Sequence, residues 1–237
     1  MRPPLFRITE LKPVSVDGGY LIDGFPSVGF TSAIATESLI HTSQFELVGF
    51  LDSDRFPAVS LVKNGKPNFP TSIFVNNDLK VAVFSSYLAL HETLHKAMAR
   101  TMLQWAKKHN VEYVITSVPV KGKEEGKITA AGSTDKARSK LKETNIEVLE
   151  HGAIPGLPGA LLNQGMINNQ NVIVILFNSN QTIPDFKASA ELCMSMSKLV
   201  PGMTCDVPTL QKEAEIAEMA IKEAQSEARN LSDGMYR

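Results

Sequence analysis

Tyr20-Leu21-Ile22-Asp23-Gly24-Phe25-Pro26-Ser27-Val28-Gly29-Phe30-Thr31-Ser32-Ala33-Ile34 carries a short apolar run into a glycine-rich turn and then into an alanine-containing helical stretch. A strand that turns through glycines straight into a helix is the unit from which α/β sheets are assembled. The rest of the chain repeats this alternation. Strands are predicted at Tyr20 to Ile22, Phe45 to Leu51, Ala58 to Val62, Ile73 to Val75, Leu79 to Phe84, Tyr113 to Ser117, Glu147 to Leu149 and Val172 to Phe177. Helices are predicted at Gly29 to Ile40, Leu90 to His109, Thr134 to Glu143, Pro158 to Met166, Asp185 to Leu199 and Pro208 to Leu231. Lys121 to Lys127 mixes both charges with glycine and reads as a solvated loop. The expected organisation is one α/β domain with a mixed or parallel sheet over residues 1–205, a helix over 206–231 and a docking tail over 232–237.

Composition narrows the partners. With 237 residues, 43% of them hydrophobic and 21% charged, the chain can bury a large core. Twenty-four Lys and Arg balance 25 Asp and Glu, which removes any bulk electrostatic reason to bind nucleic acid or an anionic membrane. No run of about 18 apolar residues and no apolar leader occurs, so neither a membrane span nor secretion is expected. The two cysteines, Cys193 and Cys205, are too few for a disulfide framework and are not spaced as a CxxC pair, which suits a reducing cytosol.

The last helix has its own pattern. Leu210, Ala214, Ala217, Ile221, Ala224, Ala228 and Leu231 recur at spacings of four and three, a narrow stripe made mostly of alanine. Such a stripe buries little area, so this helix is expected to project from the domain, and Ser232-Asp233-Gly234 to end it before Met235, Tyr236 and Arg237.

Two features suggest catalysis. His91-Glu92-Thr93-Leu94-His95 reads HExxH, which on a helix would place two imidazoles on one face with a glutamate as general base. The glycine and third histidine of the longer zinc-protease signature do not follow, and the helix stripe is read as Leu90, Leu94, Ala97, Thr101 and Trp105, leaving His91, His95, Met98 and Met102 at its edge. Gly24 to Gly29 has the glycine spacing of a phosphate loop, but Phe30 stands where its lysine belongs, and Ser27 is one residue too far along for a nucleophile elbow. Gly152, Gly156 and Gly159 make a second turn before a helix, again without a base or a phosphate-binding lysine. Both turns are read as structural. Asp52, Asp54, Asp185, Cys193 and His41 fall into no catalytic trio, and no metal or cofactor is expected.

The order of these motifs resembles the PAC2 family of proteasome assembly chaperones and their archaeal relatives. The matching residues are Gly24 to Gly29, Phe56-Pro57, the Gly65 turn, Leu103-Gln104-Trp105-Ala106, Gly152 to Gly156 before Gly159-Ala160-Leu161-Leu162, Pro184-Asp185, Ala188 to Ala190 and Leu210 to Glu215. Ser27 departs from the pattern, where a third glycine is usual. The resemblance implies a nucleoside phosphorylase-like mixed sheet flanked by helices, used for protein contact and homo-oligomerisation without a known catalytic site. It also implies the 20S proteasome α-ring as partner, a PAC2-like paralogue as a further one, and a terminal hydrophobic-Tyr-X motif, matched by Met235, Tyr236 and Arg237. An apolar side chain, a tyrosine ring with its hydroxyl and a free carboxylate would suit a pocket holding a lysine. The alternative is a metal-dependent hydrolase or nucleoside-processing enzyme using His91 and His95 or the glycine turns.

Overall fold

The apolar runs join into one mixed sheet because parallel strands covered on both faces must be apolar on both faces. The computed structural model describes residues 5–26, 30–63, 65–120, 128–179 and 185–205. The expected helix at 206–231, the tail at 232–237, the Lys121 to Lys127 loop and Gly29 lie outside the described residues. The strands are β1 (Arg7–Glu10), β2 (Tyr20–Gly24), β3 (Glu46–Asp52), β4 (Leu61–Lys63), β5 (Lys66–Asn68), β6 (Thr71–Asn76), β7 (Val81–Ser86), β8 (Tyr113–Val120), β9 (Thr129–Gly132), β10 (Glu147–Val148) and β11 (Asn171–Asn178). The helices are α1 (Thr31–Thr42), α2 (His95–Lys108), α3 (Asp135–Glu143), α4 (Gly156–Asn168) and α5 (Phe186–Leu199).

Nine strands form one sheet in the order β1-β3-β6-β7-β2-β8-β11-β9-β10, and β4 and β5 form a separate hairpin. At its centre β7, β2, β8 and β11 run parallel, while β1, β3 and β6 on one side and β9 beside β11 pair antiparallel. Alternation splits the side chains between two cores. Ile22, Val83, Ile115, Ile173 and Ile175 point to the face covered by α1, α3 and α5. Leu21, Phe84, Val114, Val172 and Val174 point to the face covered by α2 and α4. The single-domain α/β fold with a mixed sheet flanked by helices is therefore as expected.

Four details differ from expectation. The chain is not helical from Leu90: Glu92–Leu94 is one 3-10 turn and α2 begins at His95. The buried face of α2 is Met98, Ala99, Met102, Leu103, Trp105 and Ala106, with Met98 and Met102 at zero exposure. Leu94 and Thr101 are only partly buried, so the true stripe is rotated by about one residue, since unbranched methionine fills the irregular space over the sheet. Strands β1, β5 and β9 carry little β propensity, Arg-Ile-Thr-Glu, Lys-Pro-Asn and Thr-Ala-Ala-Gly, and exist through pairing with neighbours. The two cysteines are bonded to each other: Cys193 lies on the inward face of α5, and the turn at Pro201-Gly202 brings Cys205 back to a Cα separation of 5.8 Å. Spacing along the chain did not disclose a pairing made by a helix end and a reversal.

Candidate functional site at the carboxyl edge of the sheet

In a parallel α/β sheet, chemistry gathers where the strands end and the helices begin. Here α1 follows β2, α2 follows β7 through the 3-10 turn, and α5 follows β11, so their first turns share that edge. Gly24 ends β2. A Cβ there would lie 2.8 Å from Thr36 Oγ1 of α1 and 2.9 Å from the Phe84 carbonyl oxygen, so a glycine lets the helix approach the sheet.

Buried polar groups fill both faces of this edge: Asp23 and Thr116 follow Leu21 and Val114 to the side of α2 and α4, and the others lie beneath α1. Asp23 is 5% exposed. Its Oδ1 accepts from the Phe25 N–H at 3.0 Å, and its Oδ2 accepts from the Thr116 hydroxyl of β8 at 2.6 Å. Burial pushes its carboxyl up to about 6, against the two hydrogen bonds, which favour the ionised form. Thr31 and Ser32, in the first turn of α1, pair with Ser179 and Ser117 at 3.0 and 2.8 Å, beyond the ends of β11 and in β8. Glu37, inside the same helix, accepts from the Ser85 hydroxyl of β7 at 2.8 Å and faces His41 Nε2 at 3.5 Å. Burial opposes ionisation of Glu37, but bonds from His41 and Ser85, with the charges of His41 and Lys63, hold it below the ordinary carboxylate range.

Ser85, Glu37 and His41 are the three residue types of a hydrolase triad in the wrong order. A nucleophile is activated when histidine takes its proton and the acid orients the histidine. Here the carboxylate stands between the two, so it tethers a hydroxyl. The layer stitches a helix to strand ends.

The HExxH residues are spent locally. His91 caps the 3-10 turn, its Nδ1 accepting from the Thr93 N–H at 3.3 Å and lying 2.9 Å from the Thr93 hydroxyl. His95 Nε2 meets the Leu90 carbonyl oxygen at 3.2 Å. The 3-10 turn destroys the helical register that a zinc pair needs, and among the described residues no three His, Cys, Asp or Glu side chains are grouped to hold a metal. The fold does bring His95 to the second glycine turn, about 3.8 Å from where a Cβ on Gly156 would stand. Gly152 packs on Leu149. Of the first glycine turn, Gly24 lies against Thr36 of α1 and Phe25 packs in the core under α2 and α4.

The scattered acids also have structural partners. Asp52 and Asp54 meet Arg7 at 3.8 and 2.8 Å, and Asp185 caps α5 through the Ala188 N–H at 3.0 Å. Sequence reasoning missed both the Asp23–Thr116 pair on one face and Thr31, Ser32, Glu37, Ser85, Ser117 and Ser179 as a layer beneath α1 on the other. A signal existed, since Thr31, Ser32, Thr36 and Glu37 interrupt an otherwise apolar segment that is buried almost all round.

A shallow groove of about 220 Å³ opens between β1 and α2, lined by Phe6, Ile8, Thr101, Gln104 and Trp105. At one end Glu10 accepts from Trp105 Nε1 at 2.9 Å and from Lys108 Nζ at 3.0 and 2.9 Å, and His109 Nε2 is 2.7 Å from Oε1. Burial works against the charge of Glu10, but Lys108 and His109 hold its carboxyl below the ordinary range. This cluster fastens the edge strand to α2. Glu10→Ala is expected to cost about 1–2 kcal/mol in urea unfolding at neutral pH. The sign follows from the lowered pKa: the contribution is present above the unfolded value of 4.5 and fades as pH falls through the folded one. A difference from wild type that grows on acidification would refute the assignment.

The PAC2 family profile matches residues 21–225. The chain belongs to the PAC2 family. Among solved structures, this PAC2 chain is similar to Pyrococcus furiosus PbaA, described as an archaeal homolog of proteasome-assembly chaperone, at 25% identity and TM-score 0.79, covering 94% of this chain and 99% of that one. It shares its fold with Pyrococcus furiosus PbaB, described as an archaeal proteasome activator, at 20% identity and TM-score 0.72, covering 94% and 100%. A Thermoplasma acidophilum protein of unknown function has the same fold at 18% identity and TM-score 0.77, covering 93% and 91%. No curated protein matches the chain. Among the described residues, no helix of this PAC2 protein is long and apolar enough to cross a membrane.

Proposed function

We propose that this PAC2 protein is a proteasome-interacting chaperone or activator that docks Met235, Tyr236 and Arg237 into pockets of the 20S α-ring. The observation that carries this reading is the family match over residues 21–225, together with full-length likeness to PbaA. The edge chemistry agrees with it: the buried hydroxyls and carboxylates are engaged with one another, and HExxH is divided between a 3-10 turn and a helix start.

Each tail binds weakly, through one apolar side chain, one tyrosine and a carboxylate paired with a lysine. A homo-oligomer presenting several tails gains avidity if their reach matches the pocket spacing. The test is co-sedimentation of the full chain with assembled 20S particles. Wild type is expected to travel with the particle, while deletion of residues 235–237, Tyr236→Ala, or residues appended after Arg237 removes it without changing fold or oligomeric state. Undiminished binding by the deletion would sink the docking role.

A further inference from the structure

The only two cysteines of the chain meet where α5 ends. Cys193 is fully enclosed on the inward face of α5, in one cluster with Leu192 and Met196. After Leu199 the Val200 N–H reaches the Met196 carbonyl at 3.0 Å, the Met203 N–H returns to the Val200 carbonyl at 3.2 Å, and Met203 is buried. Hydrogen bonds thus hold the chain as far as Met203, and Cys205 packs at the margin of the same cluster. Thr204 is exposed and Cys205 half-buried, so past that point the sulfur bond is a covalent tie at the root of the segment that begins at residue 206.

We propose that Cys193 and Cys205 form a reversible thiol–disulfide site that sets how firmly Thr204 and Cys205, just before position 206, are held to α5. Its regulatory meaning rests on the docking function above: oxidation tethers the root of the docking segment, and reduction frees it. The location supports a switch over a general staple. The bond closes a separation of only 12 residues at the end of the domain, whereas both cores are built on the nine-stranded sheet. Cys193 is fully enclosed and Cys205 only partly buried, so exchange enters at Cys205.

The chemistry balances with a small disulfide of the glutathione type as oxidant. The Cys205 thiolate attacks that disulfide, forming a mixed disulfide and releasing one thiol. The Cys193 thiolate then displaces the second thiol from Cys205. Two protein thiols lose two electrons and two protons, and one external disulfide becomes two thiols. A dithiol reverses this: one thiolate attacks Cys205 Sγ and releases the Cys193 thiolate, its second thiolate then displaces Cys205 and closes the reagent's own disulfide, and both protein thiolates take up a proton.

The test uses the full chain equilibrated in glutathione buffers of graded poise and trapped with a maleimide polymer. Species with no label and with two labels should interconvert while circular dichroism stays unchanged. Amide hydrogen exchange over residues 200–205 should be about tenfold faster in the reduced chain, and equally fast in Cys205→Ser at every poise. A bond that forms at no poise, a bond that excess dithiothreitol never opens in the folded chain, or equal exchange rates over residues 200–205 in both states would overturn the proposal. Particle binding on the same samples separates the two readings: no binding in either state removes the docking function and leaves a two-state thiol result standing.

Discussion

Gly159→Ala is expected to be strongly destabilising, by about 3–5 kcal/mol, because a Cβ at this position would stand 2.0 Å from the Ile154 carbonyl oxygen. That atom is backbone, so relief requires moving the 149–155 turn or unwinding the first turn of α4. Both elements serve the core: Leu157 and Leu161 of α4 are buried against the sheet, and Leu149 donates its N–H to Ala130 at 2.8 Å. For a domain of this size the loss corresponds to a fall in Tm of about 10 °C. Gly65→Ala is the control, since Gly65 has φ of +73° but nothing within 4 Å, and left-handed strain alone costs about 1 kcal/mol. A smaller drop for Gly159→Ala than for Gly65→Ala would show that the turn yields freely.

The second large effect is a gain. Asp23 titrates at about 6 in the fold against an ordinary 3.8, so the native state holds this proton more tightly than the unfolded chain. Its stabilising contribution is complete below 3.8 and is lost as pH rises through 6. By pH 8 the ionised, enclosed carboxylate costs about 3 kcal/mol relative to the protonated form. Asp23→Asn removes that titration and keeps an oxygen for the Phe25 N–H, while the amide nitrogen must meet the Thr116 oxygen in place of an acceptor. The rearranged Thr116 contact offsets part of the gain, leaving about 1–2 kcal/mol at pH 8. Urea unfolding of both chains at pH 4 and pH 8 should show the variant's advantage only at the higher pH. An advantage that does not change with pH would refute the assignment to Asp23.

Both positions bear on what can be read from a linear chain. Gly159 was legible as a turn residue, because a glycine cluster before an apolar period is a local signal, but its contact with Ile154 O depends on how the turn folds back. Asp23 stood inside the most informative stretch and passed unnoticed. Its importance comes from Thr116, which is 93 residues away and adjacent only because β2 and β8 pair. Glu37 and Ser85 are 48 residues apart, and Thr31 and Ser179 are 148 apart. The HExxH spacing failed for a related reason, since a five-residue pattern implies a metal pair only if the backbone is an α-helix throughout.

The sequence by itself determined the alternation of strands and helices, the existence of five helices in the described body and the succession of turns that marks the PAC2 family. Those features rest on local periodicity and on residues whose backbone preferences act within a few positions. Tertiary structure alone decided that Arg7–Glu10 and Thr129–Gly132 are strands, that Met98 and Met102 form the inner face of α2, and that the carboxyl edge is filled by its own hydroxyls and acids. It also decided that Cys193 and Cys205 meet. Each depends on surfaces brought together from distant parts of the chain, where pairing and burial outweigh the preference of any single residue.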